Sequence, residues 1–172
     1  MTSYTNSFPD KNISMHSTWK QQPIKAAMTV NAWQAMLHHC RSDMPNEACG
    51  VLTCSHSSEM INQRQNGILS VDQIYPISNT AEHANQNFRF DPNDWITILY
   101  RIQKNRQSLV GIYHSHPSTN PLPSLADLEG MQYVPAVSYW IVSFPHLEQP
   151  DVQPYWYNRK TFTPLMLAKI GV

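Results

Sequence analysis

Two histidines one residue apart, His114 and His116, close a β-rich apolar run from Leu109 to His116 (LVGIYHSH). In an extended strand, residues i and i+2 project from the same face. Two imidazoles at that spacing therefore converge on one point, as a first-row divalent metal requires. Pro117 removes a backbone donor and ends the ladder, so the pair stands at a strand end where a cleft can open. Asp127 lies in the first turn of a helix that Ser124 opens, within reach of the histidines after the short loop STNPLP. Two histidines and one carboxylate make a catalytic rather than a structural zinc set, because the fourth tetrahedral position stays free. Zn²⁺ so held brings the pKa of a water at that position from about 15.7 towards roughly 7. One zinc per chain is expected. His38, His39 and His56 fit no catalytic spacing.

Amide hydrolysis at such a centre needs a base that takes a proton and returns it to the leaving amine. Glu47, in PNEACGVL, immediately precedes an apolar strand, where partial desolvation raises a carboxyl pKa into the useful range. Ser124, three residues before Asp127, is placed to donate to a developing oxyanion. Each residue also has a plainer reading. Ser124-x-x-Asp127 is close to a helix-capping pattern, and a glutamate before a strand is commonly a solvated residue. Cys49 reads as a packed thiol, because no histidine is placed to activate it.

Elements that would position these groups follow from periodicity. Asn31 is expected to cap a helix whose apolar face is Ala32, Trp33, Met36, Leu37 and Cys40, ending near Pro45. Cys49 to Ser55 suits a buried strand, and a second strand is expected over Ile68 to Ile77. Asn87 to Phe90 (NFRF) alternates as a third. Asp91-Pro92 starts a helix with Trp95, Ile98, Leu99 and Ile102 on its apolar face. Tyr139 to Phe144 and Val152 to Tyr157 complete a mixed sheet with helices packed against it, an α/β fold in one domain. Trp33, Trp95, Trp140 and Trp156 are core positions. Residues 1–27 lack apolar periodicity and are expected to form a flexible extension that Trp19 could dock, leaving 28–172 as the folded domain.

At 172 residues the chain has room for one compact domain. Formal net charge is +0 and mean hydropathy is -0.43, which gives no electrostatic case for nucleic acid or an anionic membrane. No apolar stretch approaches the roughly 20 residues of a spanning helix, and residues 1–27 lack the apolar run of a secretory signal. A cytoplasmic protein is expected, with Cys40, Cys49 and Cys54 reduced and two of them buried.

The run His114-Ser115-His116-Pro117, followed by Ser124 and Asp127, resembles the H-[ST]-H-P-x6-S-x2-D motif of the JAMM/MPN metalloproteases. Pro45 to Leu52 (PNEACGVL) resembles the P-x-E-x-C-G-x-L segment of their compact prokaryotic members. The likeness covers roughly Met28 to Tyr157. It implies a curved mixed sheet flanked by helices, related to the cytidine-deaminase architecture. It also implies cleavage after the C-terminal glycine of a ubiquitin-like modifier or sulfur-carrier protein. In that family His114, His116 and Asp127 would hold zinc, Glu47 would act as general acid and base, and Ser124 would stabilise the tetrahedral intermediate. Alternatives are a non-catalytic MPN-like interaction module and a phage- or cell-wall-associated zinc peptidase. A nucleoside deaminase is disfavoured, because the P-C-x-x-C that must accompany its H-x-E is absent. The sequence leaves the oligomeric state open.

Overall fold

The computed structural model describes residues 22–57, 65–131, 134, 137–146 and 149–171. In chain order the elements are β1 (Lys25–Thr29), α1 (Val30–Ser42), β2 (Cys49–Cys54), β3 (Ile68–Val71) and β4 (Gln73–Ile77). They continue with α2 (Pro92–Lys104), β5 (Ser108–His116), α3 (Leu125–Gly130), β6 (Val137–His146), β7 (Gln149–Tyr157), β8 (Phe162–Pro164) and β9 (Met166–Ile170).

Six strands form a mixed curved sheet in the order β4-β2-β5-β6-β7-β8, antiparallel throughout except where β5 meets β6. Strand alternation gives this sheet two apolar faces. Leu52, Tyr113, Trp140 and Val142 face one way and join Met36, Leu37 and Cys40 of α1. Val51, Ile112, Tyr139 and Ile141 face the other and join Ile98 and Ile102 of α2. Both faces are covered by helices, so the strands read as near-continuous apolar runs. His114 has the parity of Ile112 and lies on the α2 face; Tyr113 and Ser115 lie on the α1 face.

A second, three-stranded parallel sheet has the order β3-β1-β9. It changes three expectations. The strand expected over Ile68 to Ile77 is two strands in two different sheets, broken at Asp72, whose carboxylate takes the Ser55 amide instead of continuing a ladder. β1 begins at Lys25, inside the segment read as an extension, because Ala26 and Ala27 are buried between β3 and β9. Residues 1–21, with Trp19, lie outside the described residues. The helix cap is Thr29, not Asn31: Thr29 Oγ1 accepts from Ala32 N at 3.3 Å, and the helix starts at Val30.

Other expectations hold. Asp91 caps α2 by accepting from the amides of Asn93 and Asp94 at 2.9 and 3.0 Å, with Pro92 in the first turn. NFRF, by contrast, does not form the expected strand: only Phe90 pairs, in an isolated bridge with Asn79. Trp140 and Trp156 are buried, while Trp33 and Trp95 pack against the core from half-exposed positions. Cys40 and Cys49 are buried and free. Among the described residues, no helix is long and apolar enough to cross a membrane.

Candidate functional site

His114 and His116 leave the end of β5 on one face and meet Asp127 of α3 in a buried cluster. Their ligand atoms all lie within 4.8 Å of one another. His114 Nε2 is 2.9 Å from His116 Nε2 and 3.2 Å from Asp127 Oδ1; His116 Nε2 is 3.9 Å from Asp127 Oδ2. Ligands at about 2.0–2.1 Å from a tetrahedral zinc stand roughly 3.3 Å apart, so this spacing needs little adjustment.

Tautomers support the fit. His116 Nδ1 donates to the Asn120 carbonyl at 2.9 Å, which leaves Nε2 as a lone pair facing the cluster. His114 Nδ1 has no hydrogen-bond partner among the described residues. Burial pushes His114 down to about 3, against the Asp127 charge, so its imidazole is neutral at pH 7. Burial opposes ionisation of Asp127, yet neighbouring His114 and the donors from Ser124 and Tyr139 hold its carboxyl below the ordinary range. A neutral imidazole, an inward-facing lone pair and an anionic carboxylate form a donor set suited to a divalent cation. The residues fit a metal.

Glu47 stands at the approach to β2, the strand that pairs with the histidine strand. β2 and β5 pair antiparallel with Cys49 opposite His114. The pairing continues one step further: the Ser115 amide donates to Ala48 O at 2.9 Å, and the Ala48 amide donates to Ser115 Oγ at 2.9 Å. Glu47 is the next residue before Ala48, two positions from Cys49 and hence of the same parity, and its carboxyl feels the Asp127 charge. Its backbone is held by an amide bond to Ala84 O at 2.7 Å and by Asn79 Nδ2 donating to its carbonyl at 2.8 Å. The side chain is buried, and desolvation followed by the Asp127 charge raises its carboxyl from 4.5 up to about 8.

Ser124 sits at the N-cap of α3 in a complete capping box. Its amide and hydroxyl both donate to Asp127 Oδ2, at 2.6 and 2.8 Å, and its Oγ accepts from the Asp127 amide at 3.1 Å. The plainer reading of this pair is thus realised, and it fixes Asp127. Cys49 donates to Ile77 O at 3.4 Å, and burial, with the charges of Asp43 and Glu47, pushes its thiol up to about 12, so it is a packed thiol. His39 lies on the opposite face with Tyr113 and Asp43, and His56 pairs with Ser108.

Three residues escaped sequence reasoning. Phe88 stacks on His114 with centroids 4.8 Å apart. Asn79 organises the segment that presents it, its amide donating to the Asn87 carbonyl and its oxygen accepting from the amides of Ala81 and Arg89. Tyr139 of β6 donates to Asp127 Oδ1 at 2.8 Å. Only the NFRF alternation hinted at Phe88; nothing local marked the other two.

A curved mixed sheet with two histidines at a strand end, a capped aspartate and a buried glutamate just before the neighbouring strand defines a JAMM-type centre. The profile of prokaryotic homologs of the JAB domain matches residues 29–157, about three quarters of the chain, and the chain belongs to that family. A desampylase from Haloferax volcanii is 30% identical over 69% of this chain and 81% of its own length. A CysO-cysteine peptidase from Mycobacterium tuberculosis is 28% identical over 70% of this chain and 75% of its own. The solution structure of a protein from Desulfitobacterium hafniense superposes with a TM-score of 0.72 at 25% identity, covering 86% of this chain and 94% of that one.

Proposed function

We propose that this protein is a zinc-dependent JAMM-type peptidase that cleaves after the C-terminal glycine of a ubiquitin-like modifier or sulfur-carrier protein. The observation that carries the reading is the convergence of His114, His116 and Asp127, with the buried carboxyl of Glu47 close enough to feel the Asp127 charge. The names of the relatives, a desampylase and a CysO-cysteine peptidase, favour a protein substrate of this class. A non-catalytic MPN-like module is not favoured, because the ligand set and the glutamate are complete.

His114, His116 and Asp127 would hold the metal, which supplies Lewis acidity to a water and to the scissile carbonyl. Glu47 takes the proton of the attacking water and delivers it to the departing amine. Its carboxyl, raised to about 8 by burial and then by the Asp127 charge, would be lowered by positive charge held in the cluster. Ser124 serves the carbonyl oxygen by turning its hydroxyl from Asp127 Oδ2 to the developing anion. Glycine at the cleaved position suits a backbone that must pass close to Glu47.

The test is a zinc-loaded preparation incubated with ubiquitin-like proteins carrying a peptide or lysine-linked cargo after a terminal Gly-Gly, read by intact mass. Cleavage after the second glycine by wild type, and none by His116→Ala, is expected. Equal cleavage by both would end the assignment.

A further inference from the structure

The hydrogen bonds around Asp127 distinguish its two carboxylate oxygens. A carboxylate oxygen offers about two in-plane lone pairs. In the substrate-free site Oδ2 accepts from both the Ser124 amide and the Ser124 hydroxyl, so its two sites are taken. Oδ1 accepts from the Tyr139 hydroxyl at 2.8 Å and retains one site, the one beside His114 Nε2 at 3.2 Å. We propose that Tyr139 is a positioning residue of the metal centre: its hydroxyl occupies one lone pair of Asp127 Oδ1 and aims the other at the cation, so that Asp127 binds through that single oxygen.

The hydroxyl is well placed to do this. Tyr139 is fully buried on β6, parallel to the histidine strand, with Ile141 opposite His114 in the register. Its ring lies 5.1 Å from the His114 ring and 5.0 Å from Phe162 of β8, which also packs on Tyr155 and Tyr157. The donor therefore comes from a packed aromatic wall, not from a mobile loop. Without it, Oδ1 would have a free lone pair, and the carboxylate could tilt to offer the metal a different oxygen arrangement. Outer donors of this kind orient a ligand and fix its mode of binding.

The inference rests on the reading of the cluster as a metal centre, and one experiment separates the two. Co²⁺ is titrated into metal-stripped wild type, Tyr139→Phe and Phe162→Leu, with affinity read by chelator competition and coordination number by visible absorption. Thermal unfolding of the metal-free proteins reports on folding. Wild type should bind one Co²⁺ with the intense bands of a four-coordinate site. Tyr139→Phe, which keeps the ring, should bind about 10–100-fold more weakly with fainter bands of higher coordination. Phe162→Leu, which loosens packing but keeps the hydroxyl, should lower the melting temperature and leave the spectrum unchanged. Wild-type affinity and spectrum in Tyr139→Phe, or the same spectral change in both variants, would overturn the role of the hydroxyl. Failure of wild type to bind Co²⁺ would instead remove the metal centre itself.

Discussion

Ser115, between the two histidines, exchanges two hydrogen bonds with Ala48, the neighbour of Glu47: the Ser115 amide donates to Ala48 O and the Ala48 amide donates to Ser115 Oγ, each at 2.9 Å. The residue separating the ligands thus holds the chain that carries the base. Ser115→Ala leaves the buried Ala48 amide without its acceptor, which costs about 1–3 kcal/mol. Urea unfolding should show that loss, and kcat should fall while zinc remains bound, because Glu47 shifts relative to the ligands. A variant as stable and as active as wild type would show that the link is dispensable.

Glu47→Gln should retain stoichiometric zinc and lose roughly 10²–10⁴ in kcat. Metal content by mass spectrometry and turnover on a Gly-Gly fusion check both halves. Retained activity would move the proton transfer to another group.

The same substitution has a pH-dependent effect on the metal-free protein. Glu47 is raised from 4.5 to about 8 on folding. Its contribution to stability is therefore complete below pH 4.5 and is lost as pH rises through 8. His114 is lowered from 6.5 to about 3, so its contribution is present above pH 6.5 and lost as pH falls through 3. The melting temperature of metal-free Glu47→Gln relative to wild type should consequently climb from pH 5 to pH 9. A constant difference across that range would mean that Glu47 titrates normally in the folded chain.

Three leucines stand on or just before the Asp127 helix: Leu122, Leu125 and Leu128, exposed by 63, 80 and 37%. Apolar side chains left in water beside a reaction centre suit contact with a protein substrate. Leu125→Asp should raise KM for a folded ubiquitin-like fusion about fivefold or more, the effect of losing roughly 1 kcal/mol at an interface. The rate on a short Gly-Gly peptide should not change. Equal effects on both substrates would place Leu125 in the chemistry or the fold.

Gly50 lies one position beyond Cys49, where β2 passes between β4 and β5. A Cβ there would collide with the Tyr75 carbonyl and stand 2.6 Å from Tyr113 Cε1. Gly50→Ala should destabilise the domain by about 1–3 kcal/mol through overpacking, measured by chemical unfolding. An unchanged midpoint would mean that the strands can separate to admit a methyl group.

Local chemistry along the chain was enough to find His114, His116, Asp127 and the capped helices. Strand alternation, an N-cap and a helix-opening proline act over a few residues and can be read in order. Asp91 and Ser124 are caps for this reason. The misplaced cap at Asn31 shows the limit: Thr29 and Asn31 are both good capping residues, and β1 ending at Thr29 decided between them. The parallel sheet β3-β1-β9 joins residues near both ends of the chain to its middle, and no local pattern encodes such a pairing. Residues 68–77 divide between two sheets for the same reason. Glu47 could be suspected from its place before a strand, but only the pairing of β2 with β5 brings that strand beside the histidines and buries its carboxyl near Asp127. Tyr139 and Asn79 gain their roles from neighbours far away in sequence. Side-chain identity and short-range spacing belong to the sequence, whereas which carboxylate oxygen is free, and which carboxyl is buried enough to hold a proton, depend on long-range contacts that exist only when the chain is folded.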